Sequence, residues 1–110
     1  MSITETATID GMGIDKNTGE VVLTISDHLD WKDERGHLSA IEEKVNAYLG
    51  YLESGQLVED MPEAAGRPPK IWLINKFHPS DDAEQVLENL KRVLAGNEIA
   101  FQFGELPAGY

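Results

Sequence analysis

The sequence predicts an α/β fold of the α+β kind: a two-layer sandwich in the order β-β-α-β-α-β, with a four-stranded mixed sheet and two helices on one face. Three observations predict it. Val21-Val22-Leu23-Thr24-Ile25-Ser26 is rich in β-branched residues and reads as a strand. Leu38, Ile41, Val45, Tyr48, Leu49 and Leu52 recur at steps of three and four, the period of a helix with one apolar face. A second such stripe, Ala83, Val86, Leu87, Leu90, Val93 and Leu94, separates two further strand-like runs. Right-handed crossovers between parallel strands put both helices on the same side of the sheet.

The remaining elements follow in chain order. Residues 1 to 6 are polar and expected to fray. Thr8 to Ile14 can be extended, with Gly11 and Gly13 hinting at a bulge. Asp15-Lys16-Asn17-Thr18-Gly19 has turn chemistry, so the first two strands form a hairpin. The long helix is expected near residues 33 to 54, with Asp30 as its cap and Gly55 as its stop. Residues 58 to 69 hold Pro62, Gly66, Pro68 and Pro69 and are expected to be loop, with folding over the sheet face opposite the helices as an alternative cover for the apolar residues of that face. Ile71 to Phe77 is the third strand, and Ser80 or Asp81 caps a helix near 81 to 95. Gly96-Asn97 ends that helix, Ile99 to Phe103 is the last strand, and Gly104 and Pro107 close it. The expected strand order is 1-2-3-4, the first strand antiparallel.

Strand alternation then sorts the side chains. Val21, Leu23, Ile25, Ile71, Leu73, Phe77, Ile99, Phe101 and Phe103 face the helices. Val22, Thr24, Trp72, Ile74 and Gln102 face the other way, where no helix is expected. These five are the candidate interface, suited to a partner protein or to a second copy in a homodimer.

A chain of 110 residues fits a single domain, 1 to 110, with one core. Nine Lys and Arg against twenty Asp and Glu leave a charge of −11, which repels polyanions and counts against nucleic acid and anionic membranes. Cysteine is absent, so disulfides, thiolate metal sites and cysteine nucleophiles are excluded. The start of the chain lacks the positive residues and apolar run of a signal peptide, and no stretch is long and apolar enough to span a bilayer, which points to the cytoplasm.

No motif names an activity. Ser26 and Ser54 lack the surroundings of a nucleophile elbow, and Gly11-Met12-Gly13 does not lead from a strand into a helix as a phosphate cradle does. No catalytic residue, metal site or cofactor is assigned. The most distinctive stretch is Ser26-Asp27-His28-Leu29-Asp30-Trp31-Lys32-Asp33-Glu34, at the carboxyl end of a strand, where open α/β sheets bind ligands. Asp27, His28, Asp30 and Trp31, joined by His37, are the candidate ligand-binding residues. The competing reading is structural: carboxylates cap the helix and favour its positive end, His28 bonds to backbone, and Trp31 fastens the helix to the sheet. Lys44, Asn46 and Tyr51 fall off the main apolar stripe.

Ile9-Asp10-Gly11, Gly13-Ile14-Asp15 and Val21 to Ile25, running into Asp27-His28-Leu29-Asp30-Trp31, resemble the opening of the DUF6572 family of uncharacterised bacterial proteins. His37-Leu38, Glu43-Lys44, Asn46, Tyr48-Leu49 and Glu53-Ser54-Gly55-Gln56-Leu57 continue the likeness, which extends more loosely through Gly66-Arg67-Pro68-Pro69 and the third strand. The resemblance implies a bacterial, cytoplasmic protein and implies no activity. Two functional readings remain. One is a non-enzymatic protein-interaction module or homo-oligomer. The other is a small ligand- or metal-binding domain or enzyme using the acidic stretch after the second strand.

Overall fold

The computed structural model describes residues 8–105, so the expected fraying of residues 1 to 6 and the closing role of Pro107 lie outside the described residues. Four strands form one sheet in the order β1-β2-β3-β4: β1 Gly11–Ile14, β2 Val21–Asp27, β3 Pro69–Asn75 and β4 Ala100–Gly104. The β1–β2 pair is antiparallel, and β2–β3 and β3–β4 are parallel. Helices α1 (Glu34–Glu53) and α3 (Asp81–Ala95) are the two crossovers, and a short helix α2 (Gln56–Asp60) follows α1.

Both long helices lie on one face. Ile41, Val45 and Tyr48 of α1 and Leu87 and Leu94 of α3 join a single buried cluster with Leu23, Ile25, Ile71, Leu73 and Phe101 from alternate strand positions. Ile99 and Phe103 are half-buried against it. Phe77 departs from the expected inward set: β3 ends at Asn75, the alternation stops with it, and the Phe77 ring is 44% exposed. Residues 8–10 likewise precede β1 rather than extending it. At Gly11 a Cβ atom would meet the Thr24 hydroxyl oxygen at 2.6 Å, so any larger residue there would force that hydroxyl to turn away.

Two local expectations need correction. The cap of α1 is Asp33, whose carboxylate accepts from Gly36 N at 3.1 Å, whereas Asp30 closes an Asx turn on Lys32 N at 3.1 Å. Asp33 wins because it sits three residues before a free first-turn amide, the reach of a capping side chain. Residues 56–64 are not plain loop. Gly55 in the left-handed region (φ 82°) ends α1 as expected, but α2 and a 3-10 turn at Pro62–Ala64 follow. Leu57 and Ala64 bury themselves against Val21, a helix-side residue, so this segment extends the helical layer and does not fold across the open face. Gly96 ends α3 as expected, in a right-handed conformation, and Glu98 (φ 62°) makes the left-handed step that follows. Ser80 caps α3 by accepting from Ala83 N.

Candidate functional site

The carboxyl ends of β2 and β3 lie side by side, with Asp27 registered opposite Asn75. Both occupy the last inward position of their strands, after Leu23–Ile25 and Ile71–Leu73, so a carboxylate and an amide stand where the pattern calls for apolar residues. They are 3% and 2% exposed. The cost of such burial is offset only by hydrogen bonds. Asn75 Nδ2 donates to Asp27 Oδ2 at 2.8 Å, Leu29 N donates to Oδ1 at 3.2 Å, and His37 Nε2 lies 2.7 and 2.6 Å from the two carboxylate oxygens. His37 comes from the buried face of α1, one turn in from its cap.

The other His37 nitrogen, Nδ1, is 2.9 Å from the Asp30 carbonyl. A carbonyl only accepts, so Nδ1 donates to Asp30, and Nε2 shares a hydrogen bond with the Asp27 carboxyl group. Trp31 stacks on that ring at 3.7 Å between centroids and donates Nε1–H to the Phe77 carbonyl at 3.0 Å. The cluster thus fastens the β2–α1 connection to the turn after β3. With both nitrogens engaged, His37 has no lone pair free to act as a base.

Of the candidate ligand residues, the structure brings Asp27, Trp31 and His37 together and gives Asp30 a part through its backbone oxygen. His28 is exposed. Ser26, Asp27, His28, Asn75, Lys76 and Glu105 border an open depression of about 480 Å3 beyond the strand ends. Asp30 lies in a different one, of about 440 Å3, which His28, Asp33, Gly36 and His37 also line, so His28 borders both depressions. Among the described residues no group of three or more His, Cys, Asp or Glu side chains is placed to hold a metal ion.

A second buried polar cluster supports the other flank, and Lys44 is its centre. Its expected position off the apolar stripe is wrong: Lys44 is 0% exposed, three residues after Ile41 and four before Tyr48 on the same face of α1. Its Nζ donates to the Thr8 carbonyl at 2.8 Å and to Asp10 Oδ1 at 3.1 Å. Asp10 Oδ2 accepts from Ser26 N, Tyr48 donates its hydroxyl to the Thr24 carbonyl, and Asp10 N donates to the Tyr48 oxygen. Pairing with β1 stops at Thr24, so these side chains satisfy the edge of β2 that β1 leaves open. Burial pushes the Tyr48 hydroxyl up to about 12, with the Asp10 amide opposing and the Asp10 charge assisting.

The candidate interface residues share the opposite side of the sheet. Cross-strand rows there read Gly13, Val22, Lys70, Ala100, then Gly11, Thr24, Trp72, Gln102, then Ser26, Ile74, Gly104. Val22, Thr24, Trp72 and Ile74 are half-buried and Gln102 is exposed. Gly11 and Gly13 give β1 no side chains on this face, which leaves a trough of about 560 Å3 floored by Val22, Thr24 and Trp72. Among these described outward strand positions Lys70 is the sole charge.

A helical layer on one side of a short mixed sheet, with a buried polar cluster at each flank of the second strand, defines a small two-layer α+β protein. The chain belongs to the family of unknown function DUF6572, whose profile matches residues 1–106. That match takes in α3 and β4, beyond the stretch from Ile9 to the third strand that carries the resemblance in the sequence. No curated protein and no solved structure matches the chain. No helix among the described residues is long and apolar enough to cross a membrane.

Proposed function

We propose that the protein is a non-enzymatic interaction protein of the bacterial cytoplasm that self-associates through the open face of its sheet. The observation that carries this reading is the separation of charge from apolar surface. Acids crowd the helices, with Glu42, Glu43 and Glu53 on α1 and Asp81, Asp82, Glu84 and Glu88 on α3, whereas the outward strand rows hold Val22, Trp72 and Ile74 with Lys70 as their one charge. A second copy meeting this face brings few acids together there, Asp15 just after β1 being the acid that borders the trough. Repulsion between two chains of charge −11 acts through solvent and is screened beyond about 8 Å at physiological salt.

The carboxylates of the acidic stretch are already engaged, Asp27 with His37 and Asn75, Asp30 and Asp33 with backbone amides, which favours the interaction reading over a ligand or metal site. The lack of cysteine supports the reducing compartment.

Size sets the strength. Strands of seven residues in a four-stranded sheet make a face of roughly 20 by 20 Å, about 400 Å2 a side, which is half of a standard interface. The dimer is therefore weak. Sedimentation equilibrium of the full chain across the micromolar to millimolar range tests it. The mass should rise above 12.2 kDa with concentration, and Trp72→Glu should hold it at the monomer value. A wild type that stays monomeric throughout contradicts the reading.

A further inference from the structure

The helical layer carries a second surface, of the opposite character. α1 and α3 are both crossovers between parallel strands, so they run side by side in the same direction. Their starting ends are tied where the Ser80 hydroxyl donates to the Glu34 carboxylate. Between them lies an apolar groove of about 220 Å3, walled by Leu38 and Ile41 on one side and Val86, Leu90 and Val93 on the other. Val86 and Val93 are 47% and 62% exposed, two of the five large apolar side chains left most open among the described residues. They are seven residues apart on one face of α3, two turns or about 10 Å. Nothing in the core requires a stripe that wide, since Ala83, Leu87 and Leu94 already bury the inner face of α3.

The rim decides what fits. Glu42 lines the groove itself, and Asp82 stands one turn before Val86 on the same side of α3. Asn89 is the other polar residue at the lip, and Arg35, one turn before Leu38, is the single cation on the groove side of α1. We infer that the α1–α3 groove docks a basic amphipathic helix of another protein, its apolar residues spaced at i and i+7 to sit between Val86 and Val93 and its lysines or arginines facing Glu42 and Asp82. Helix-in-groove recognition supplies affinity through apolar anchors, and the acidic rim selects sign and speeds encounter. This surface is separate from the open sheet face, so a protein that self-associates can hold such a partner at the same time.

The test uses the full isotope-labelled chain and two synthetic peptides of about four helical turns. They share one leucine stripe, with lysine on the polar face of one and glutamate on that of the other. The lysine peptide should bind saturably, shift the amides of residues 38–45 and 86–93, and leave those of Val22, Thr24 and Ile74 in place. Val93→Glu should weaken it by about tenfold or more, as loss of an apolar anchor does. Val93 is exposed, so the variant should melt with the wild type. Glu42→Lys should weaken the lysine peptide as well, and the glutamate peptide should not bind. Three results would overturn the proposal: no saturable binding, shifts spread over the acidic surface that Val93→Glu does not alter, or shifts confined to the sheet face. The last would also bear on the self-association reading, which sedimentation tests independently.

Discussion

His37 and Asp27, ten residues apart, meet at 2.6 Å inside the protein, with side chains 1% exposed each. The contact joins the end of β2 to the second turn of α1, and Asn75 extends it to β3. A connection of six residues between β2 and α1 is thereby held at both ends by one buried hydrogen-bonded pair.

Removing one partner should cost far more than removing both. Asp27→Leu leaves His37 Nε2, Asn75 Nδ2 and Leu29 N without their buried acceptor and should destabilise the fold by about 3–5 kcal/mol. The double variant Asp27→Leu with His37→Leu should recover part of that loss, because both buried polar partners are then replaced by apolar volume. Urea denaturation of the two variants and the wild type checks the order. A double variant less stable than the single one would contradict the pairing.

The cap of α1 gives a sharper comparison. Asp33→Ala removes the acceptor for Gly36 N and should cost about 0.5–2 kcal/mol. Asp30→Ala removes only an exposed Asx turn and leaves the carbonyl that holds His37, so its effect should stay within about 0.5 kcal/mol. Thermal melts of the two variants distinguish them, and equal losses would mean that the cap is misplaced.

Tyr48 makes stability fall in alkali. Its hydroxyl is raised from the ordinary value of 10 to about 12, so the unfolded chain loses that proton first. The contribution is complete below pH 10 and disappears as pH rises through 12, at about 1.4 kcal/mol per pH unit in between. Tyr51 is also raised to about 12, by burial first and then by its hydrogen bond to Asp60, so wild type alone does not isolate Tyr48. The gap between wild type and Tyr48→Phe does: measured by denaturant at pH 9 and again above 11, it should narrow. A gap that widens would reverse the assignment.

Much of this arrangement is legible in the sequence. The order of elements, the antiparallel first strand, the caps at Ser80 and Gly55 and the sorting of Leu23, Trp72 and Phe101 to their faces all follow from period and turn chemistry, which act locally. What escaped depends on partners distant in sequence. Lys44 looks like a solvated lysine until Asp10 and the Thr8 carbonyl, 34 and 36 residues earlier, are brought beneath it. Asn75 carried a signal, a polar residue in the inward register after Ile71 and Leu73, but its meaning needed Asp27 alongside. The reach of Asp33 over Asp30 turned on where the first helical turn begins, the least determined feature of any helix. Phe77 was misplaced because nothing local marks the end of β3 at Asn75.

The claim that the open sheet face joins two copies is tested most directly by contacts between chains. In a sample mixing isotope-labelled and unlabelled chains at millimolar concentration, isotope-filtered nuclear Overhauser spectra report only protons on different copies. The account predicts cross-peaks from the Trp72 ring to the methyl groups of Val22, Thr24 or Ile74 of the other chain, and their loss in Trp72→Glu. Cross-peaks arising only from Val86, Val93 or other helical residues, or none at all, would contradict it.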